Sequence, residues 1–138
     1  MGWFWYGVKT AYRVEASGKP SKKDAAYDPE ATLAEERVVL FKARSFDEAI
    51  SKAEKEALVY ESTYTNVYGE EVSCRYVGVC DAFEMPDEPK AGVEVFSSTR
   101  LVSRKVSNRE VVNDIFGPEE TEKQEAARER FMYKEERK

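Results

Sequence analysis

At 138 residues, 41% hydrophobic and 36% charged, the chain is long enough to bury one core without disulfides or metal and too short for two ordinary domains. A formal net charge of −5 opposes general attraction to a phosphate backbone, which makes nucleic acid an unfavoured partner. The lack of any histidine removes the commonest general base, the usual catalytic triad and histidine-ligated metals, and the seven glycines are too scattered for a phosphate-binding loop.

The aromatic start Trp3-Phe4-Trp5-Tyr6 lacks the basic region and small-residue cleavage site of a secretion signal, and no apolar run approaches the ~20 residues needed to cross a bilayer. A cytoplasmic protein with no membrane partner is therefore expected. From Phe4 to Val14 the even positions Phe4, Tyr6, Val8, Thr10, Tyr12 and Val14 form a period-two stripe that predicts a strand with one core face. The odd positions carry Lys9, Arg13 and Glu15 toward water, but Trp3 and Trp5 on the same side call for a cover.

Ala16 to Leu33 holds Gly18, Pro20, Asp28 and Pro29 without apolar period, which predicts a long, mobile hairpin loop. Glu36 to Ala43 reads as a second strand, apolar on both faces at its middle and hence central in the sheet. Ser45-x-x-Glu48 has the spacing of a capping box, and Phe46, Ala49, Ile50, Ala53, Ala57 and Tyr60 recur at helical intervals. This predicts an amphipathic helix whose small alanines let it lie close to a sheet.

The stretch Tyr64 to Glu70 breaks that period, with Asn66 and Gly69 both suited to a left-handed turn. Val72 to Glu84 is a third predicted strand, in which Gly78 suggests a bulge, and Val93 to Ser103 a fourth. Ser107-x-x-Glu110 repeats the capping spacing before a short helix closed by Gly117-Pro118. The order ββαββ predicts an α+β fold: a mainly antiparallel four-stranded sheet covered by one amphipathic helix, with one domain over 1–117. Residues 118–138 form a charged extension, helical or disordered, which only Phe131, Met132 and Tyr133 could anchor.

Cys74 and Cys80 stand six positions apart in one strand, ~20 Å in extended chain, too far to pair, and are read as buried thiols. No cofactor, metal centre or catalytic residue is predicted. Trp3, Trp5, Tyr60, Tyr64 and Tyr68 are expected to gather near one end of the sheet, as aromatic residues do at binding surfaces. The candidate binding set is Trp5, Glu36, Tyr64, Asn66, Tyr68 and Arg100. The alternative is purely architectural: indoles packed under the carboxy-terminal helix and tyrosines closing the core.

Trp5-Tyr6-x-Val8-Lys9, Glu36-Arg37-Val38-Val39-Leu40, Ala43-x-Ser45-x-x-Glu48-Ala49-Ile50-x-x-Ala53-Glu54, Tyr64-x-Asn66-x-Tyr68-Gly69-Glu70 and Asp81-x-Phe83-Glu84 follow in order. Over roughly Trp5 to Arg100 the chain thereby resembles a bacterial family catalogued only as a domain of unknown function. The resemblance implies a small bacterial domain without an assigned activity.

Three functional readings remain at this level. The first is a non-enzymatic binding or regulatory module, of immunity type among others, that acts through a protein partner or self-association. The second is a divalent-metal enzyme on phosphate esters, with Glu36, Asp81 and Glu84 as ligands and Arg100 stabilising developing charge. The third is a homo-oligomeric structural protein joined through a sheet edge or the charged extension.

Overall fold

The computed structural model describes residues 2–117 and 119–133. Pro118, half of the expected helix stop, and residues 134–138 of the charged extension lie outside the described residues.

The elements are β1 (Phe4–Ser17), β2 (Leu33–Ala43), α1 (Phe46–Tyr60), β3 (Ser62–Thr65), β4 (Glu71–Glu84), a helical turn α2 (Asn108–Glu110) that runs into a π-helical turn over Val111–Ile115, and α3 (Glu122–Met132). The four strands make one antiparallel sheet in the order β2-β1-β4-β3, covered by α1. The α+β architecture in the order ββαββ is as expected. Among the described residues no helix is long and apolar enough to cross a membrane.

The even residues of β1 do form the core stripe. Tyr6, Val8, Thr10, Tyr12 and Val14 are all buried beneath α1, while Phe4, at the strand's start, stays half exposed. Residues opposite one another on paired strands point to the same side. The register Val8↔Val39, Thr10↔Arg37 and Tyr12↔Glu35 therefore puts the odd residues of β2 on the helix face.

Helix α1 starts at Ser45, whose hydroxyl accepts the Glu48 amide at 3.1 Å. The Glu48 carboxylate forms ion pairs with Arg44 and Lys52 rather than reaching back to the Ser45 amide, so only half of the expected box forms. Ala49, Ala53 and Ala57, one turn apart, are buried along the sheet-facing side.

The core divides into two apolar clusters. One gathers Tyr6, Val8, Ala43, Ala49 and Ala53; the other gathers Tyr12, Val14, Ala57, Val72, Cys74 and Phe131. A chain of polar groups crosses between them: Thr10 Oγ1 and Tyr12 Oη lie 2.6 Å apart, Arg37 donates to Tyr12 Oη at 3.0 Å, and Arg37 grips Glu56 with both terminal nitrogens at 2.9 and 3.1 Å.

Several sequence expectations need correction. Strand β2 is an edge, not a central strand. Its second apolar face is explained by residues 93–97, which cross the outer side of the sheet: Val95, Phe96 and Val38 gather over Gly7, Lys9 lies 4.9 Å from the Phe96 ring centre, and Phe83 packs at 6.2 Å. The fourth strand is accordingly not Val93 to Ser103, which is irregular throughout, but Ser62–Thr65. A short hairpin from β3 to β4 closes a smaller loop than a return past Pro86 and Pro89, and β3 occupies the β4 edge.

Two register shifts interrupt the β1–β4 ladder on either side of the Gly78 pair, in agreement with the expected bulge. They leave Val77 and Cys80 without opposite partners. Cys80 is therefore exposed, contrary to expectation, whereas Cys74 is buried; both are free thiols. The indoles do not pack under the carboxy-terminal helix either. Arg44 and Lys52 lie over Trp3 at 5.0 and 5.1 Å and Lys42 over Trp5 at 5.9 Å, and Trp3 remains 51% exposed.

Nor is the long loop unattached. The Ser21 amide donates to the Tyr68 carbonyl at 2.8 Å, Tyr68 donates to Asp24 at 2.6 Å, and Tyr27 packs edge-on against Tyr68 at 4.9 Å. The extension contributes α3, capped by a reciprocal Thr121–Gln124 box, and its Phe131 is buried in the second cluster.

A β-carbon at Gly7 would run into the Val95 carbonyl oxygen, with Val38 close behind. Gly7→Val should destabilise the fold by about 1–3 kcal/mol, as overpacking does, seen as a lower urea midpoint at unchanged m-value. An unchanged midpoint would mean that residues 93–97 are not seated on the sheet.

Candidate functional site

The curled sheet brings its two edge strands toward each other beyond the end of α1, and the space between them is a cleft of about 610 Å³. β2 supplies Glu35, α1 ends there with Tyr60, β3 brings Tyr64, β4 forms the floor with Cys74, and α3 closes one side with Arg128 and Met132.

Each placement follows from local structure. Glu35 faces inward because it pairs with Tyr12, a core residue. Tyr64 faces the same way because it pairs with buried Val72. Tyr60 is held from both sides: Arg37 lies 3.6 Å from its ring centre, and Tyr12 meets it edge-on at 5.0 Å.

Oε1 of Glu35 is buried and has no hydrogen-bond donor among the described residues. Hydrogen bonding toward Glu35, burial and the carboxylate charge push the Tyr60 phenol up to about 12, with Arg37 acting in the opposite direction. Burial, then Cys74 and Glu35, raise the Tyr64 phenol too. Burial, then Glu35 and Glu61, push the Cys74 thiol up, so it stays protonated near neutrality and is a poor nucleophile.

Beside the cleft, the turn from β3 to β4 is closed by Asn66, which is completely buried. Its Oδ1 accepts the amides of Tyr68 and Glu70 at 3.0 and 3.1 Å, and its Nδ2 donates to Glu70 at 3.2 Å. Gly69 alone takes the left-handed conformation here, with φ +80°, and a β-carbon there would meet the Ser21 hydroxyl. Asn66 serves the turn through its side chain instead. Val67 also donates to the Tyr133 carbonyl at 2.9 Å, which ties the turn to the end of α3.

Of the six residues proposed from sequence, Tyr64 and Glu36 border the cleft. The Glu36 carboxylate, however, belongs to the outer face and pairs with Lys9 at 3.5 Å. Asn66 and Tyr68 sit together in the adjoining turn, buried, with Tyr68 Oη on Asp24. Trp5 does not join them. It is the second residue of β1, its carbonyl accepting the Met85 amide, whereas Tyr64 aligns through Val72 with Ala16, roughly 35 Å farther along the strand. Arg100 also lies apart, donating to the Ile115 carbonyl at 2.8 Å and covering Phe116.

The three carboxylates considered as metal ligands do not meet: Glu36 and Asp81 belong to the outer face, while Glu84 faces inward and accepts from Tyr6 at 3.4 Å. Among the described residues no three His, Cys, Asp or Glu side chains are grouped to hold a metal ion. Glu35 and Cys74 were missing from the candidate set. Parity was the available signal, because once Tyr12 and Val14 are assigned to the core, their partners Glu35 and Cys74 must share that face.

Residues 5–97 match the family model described as "Domain of unknown function (DUF4288)". No curated protein and no solved structure matches the chain.

The Tyr60 phenol carries the pH prediction. Its folded pKa of about 12 exceeds the ordinary 10.0, so the stability it contributes is complete below pH 10 and is lost as pH rises toward 12. In an alkaline titration followed by phenolate absorbance, Glu35→Gln should move Tyr60 down toward 10 and Tyr64 down to a lesser extent. An unchanged curve would separate Tyr60 from Glu35.

Proposed function

We propose that this chain, which belongs to the DUF4288 family, is a non-enzymatic binding module that receives a segment of a partner protein in the cleft between β2 and β3. The observation that carries this reading is the cleft itself. Its volume lies within the roughly 300–1,000 Å³ typical of binding pockets, and its walls combine aromatic and aliphatic side chains with polar ones, Glu35, Ser62 and Thr63 among them. Arg37 and the Asn66 turn hold those walls in place without a ligand, which reduces the ordering cost of association. The protonated Cys74 thiol suits a wall better than a reaction centre. A small acidic cytoplasmic domain, bacterial by the resemblance of its sequence blocks, fits such a regulatory role.

Self-association is a second reading, favoured by the exposed apolar side chains Leu101, Val112 and Phe116 beyond the sheet.

Selection of random peptides displayed on phage against the full chain, followed by amide chemical-shift mapping, tests the main reading. Selected peptides should saturate and shift the amides of Leu33–Glu36, Ser62–Tyr64 and Cys74. Peptides that map elsewhere, or a selection without enrichment, would overturn it.

A further inference from the structure

We propose that the occupant of the cleft anchors there through a positively charged side chain, an arginine or lysine of the partner protein, with Glu35 as its counter-ion and tyrosine rings as its walls. This rests on reading the cleft as a protein-binding site.

The cations around the cleft are already paired. Arg37 is engaged by both oxygens of Glu56, Arg128 by both oxygens of Glu120 at 2.7 and 3.1 Å, and Lys9 by Glu36. Glu35 is different. It stands half-buried on the wall, and among the described residues it has no ion pair and one oxygen without a donor. Tyr60 hydrogen-bonds toward the carboxylate, which still has acceptor capacity left over at Oε1 and no cation paired with it among the described residues.

The walls favour the same chemistry. Phenol rings attract cations, as Tyr60 does the guanidinium of Arg37; with Arg37 and Tyr12 already against that ring, the acceptor this wall offers an occupant is the Glu35 carboxylate. The carboxylate that accepts from Tyr60 would draw in a cation and repel an anion. Arg128 at the side of the cleft offers an incoming anion little, because Glu120 neutralises it. At longer range the net charge of −5 steers basic segments toward the molecule. Arginine suits the site best, since its planar fork can pair with a carboxylate while lying against a ring.

Peptides selected against the full chain provide the probes, measured by calorimetry. An arginine or lysine should recur at one position. Its replacement by the uncharged isostere citrulline, or by norleucine for lysine, should weaken binding about tenfold or more, and Glu35→Gln should do the same. The two changes should not add, whereas Asp114→Asn, an exposed charge change beyond the sheet, should have no effect. The peptide substitution leaves the protein untouched, so it decides the matter even if Glu35→Gln disturbs folding. Peptides that map to the cleft but bind equally well as citrulline or norleucine forms would overturn the charge assignment and leave the binding reading intact. Peptides that never map to the cleft would overturn both.

Discussion

The guanidinium of Arg37 is the group on which the rest of the arrangement depends. It rises from an edge strand at the point where the apolar core divides, and it joins β2 to α1 through Glu56 and to the central strand through Tyr12. Burial alone would lower its pKa, yet the hydrogen bonds to Glu56 and Tyr12 more than offset this and raise it above the ordinary value. A charge in such a position is stable only while its partners remain, so the bracing fixes the distance between the helix end and the sheet edge. That distance sets the width of the cleft, because Tyr60 lies directly against the same guanidinium.

A second polar node acts at the other side of the cleft. Asn66 satisfies two amides and one carboxylate without leaving the turn, and Tyr68 and Ser21 extend the network into the long loop. Arg130 approaches Asp24 at 3.7 Å, so α3 meets the same network. The exposed ion pair contributes little. Burial of Phe131 contributes more, of the order of 2 kcal/mol for a side chain of its size. The turn, the loop and α3 thus support the short β3, whose four residues could not hold a position by ladder hydrogen bonds alone.

What was legible from the residues depended on whether the physical signal was local. The period of β1 and the capped, alanine-striped α1 are local signals, and both elements stand where they were expected. The apolar middle of β2 was misleading, because a covering segment on an edge strand leaves the same pattern as burial in the sheet centre; the cover comes from residues more than fifty positions later. Val93 to Ser103 has strand-like composition, but composition does not tell which segment takes the β4 edge, and β3 occupies it. Cys80 is exposed through a bulge that only the two-strand register reveals. For the site, Tyr64 was readable as an aromatic residue after the helix, whereas Glu35 depended on strand parity. Trp5 was grouped with it because neither composition nor spacing tells which ends of two strands lie together.

If the cleft is preformed by the Arg37 brace, that brace must be energetically real. The most direct test is a double-mutant cycle of Arg37→Met and Glu56→Gln by urea denaturation, with methionine retaining the apolar stem. A coupling of about 1–2 kcal/mol is expected for a bidentate pair whose side chains are only 25% and 32% exposed and that has further hydrogen bonding. Coupling within about 0.3 kcal/mol of zero would contradict the account, since Arg37 would then not hold the helix end against the sheet.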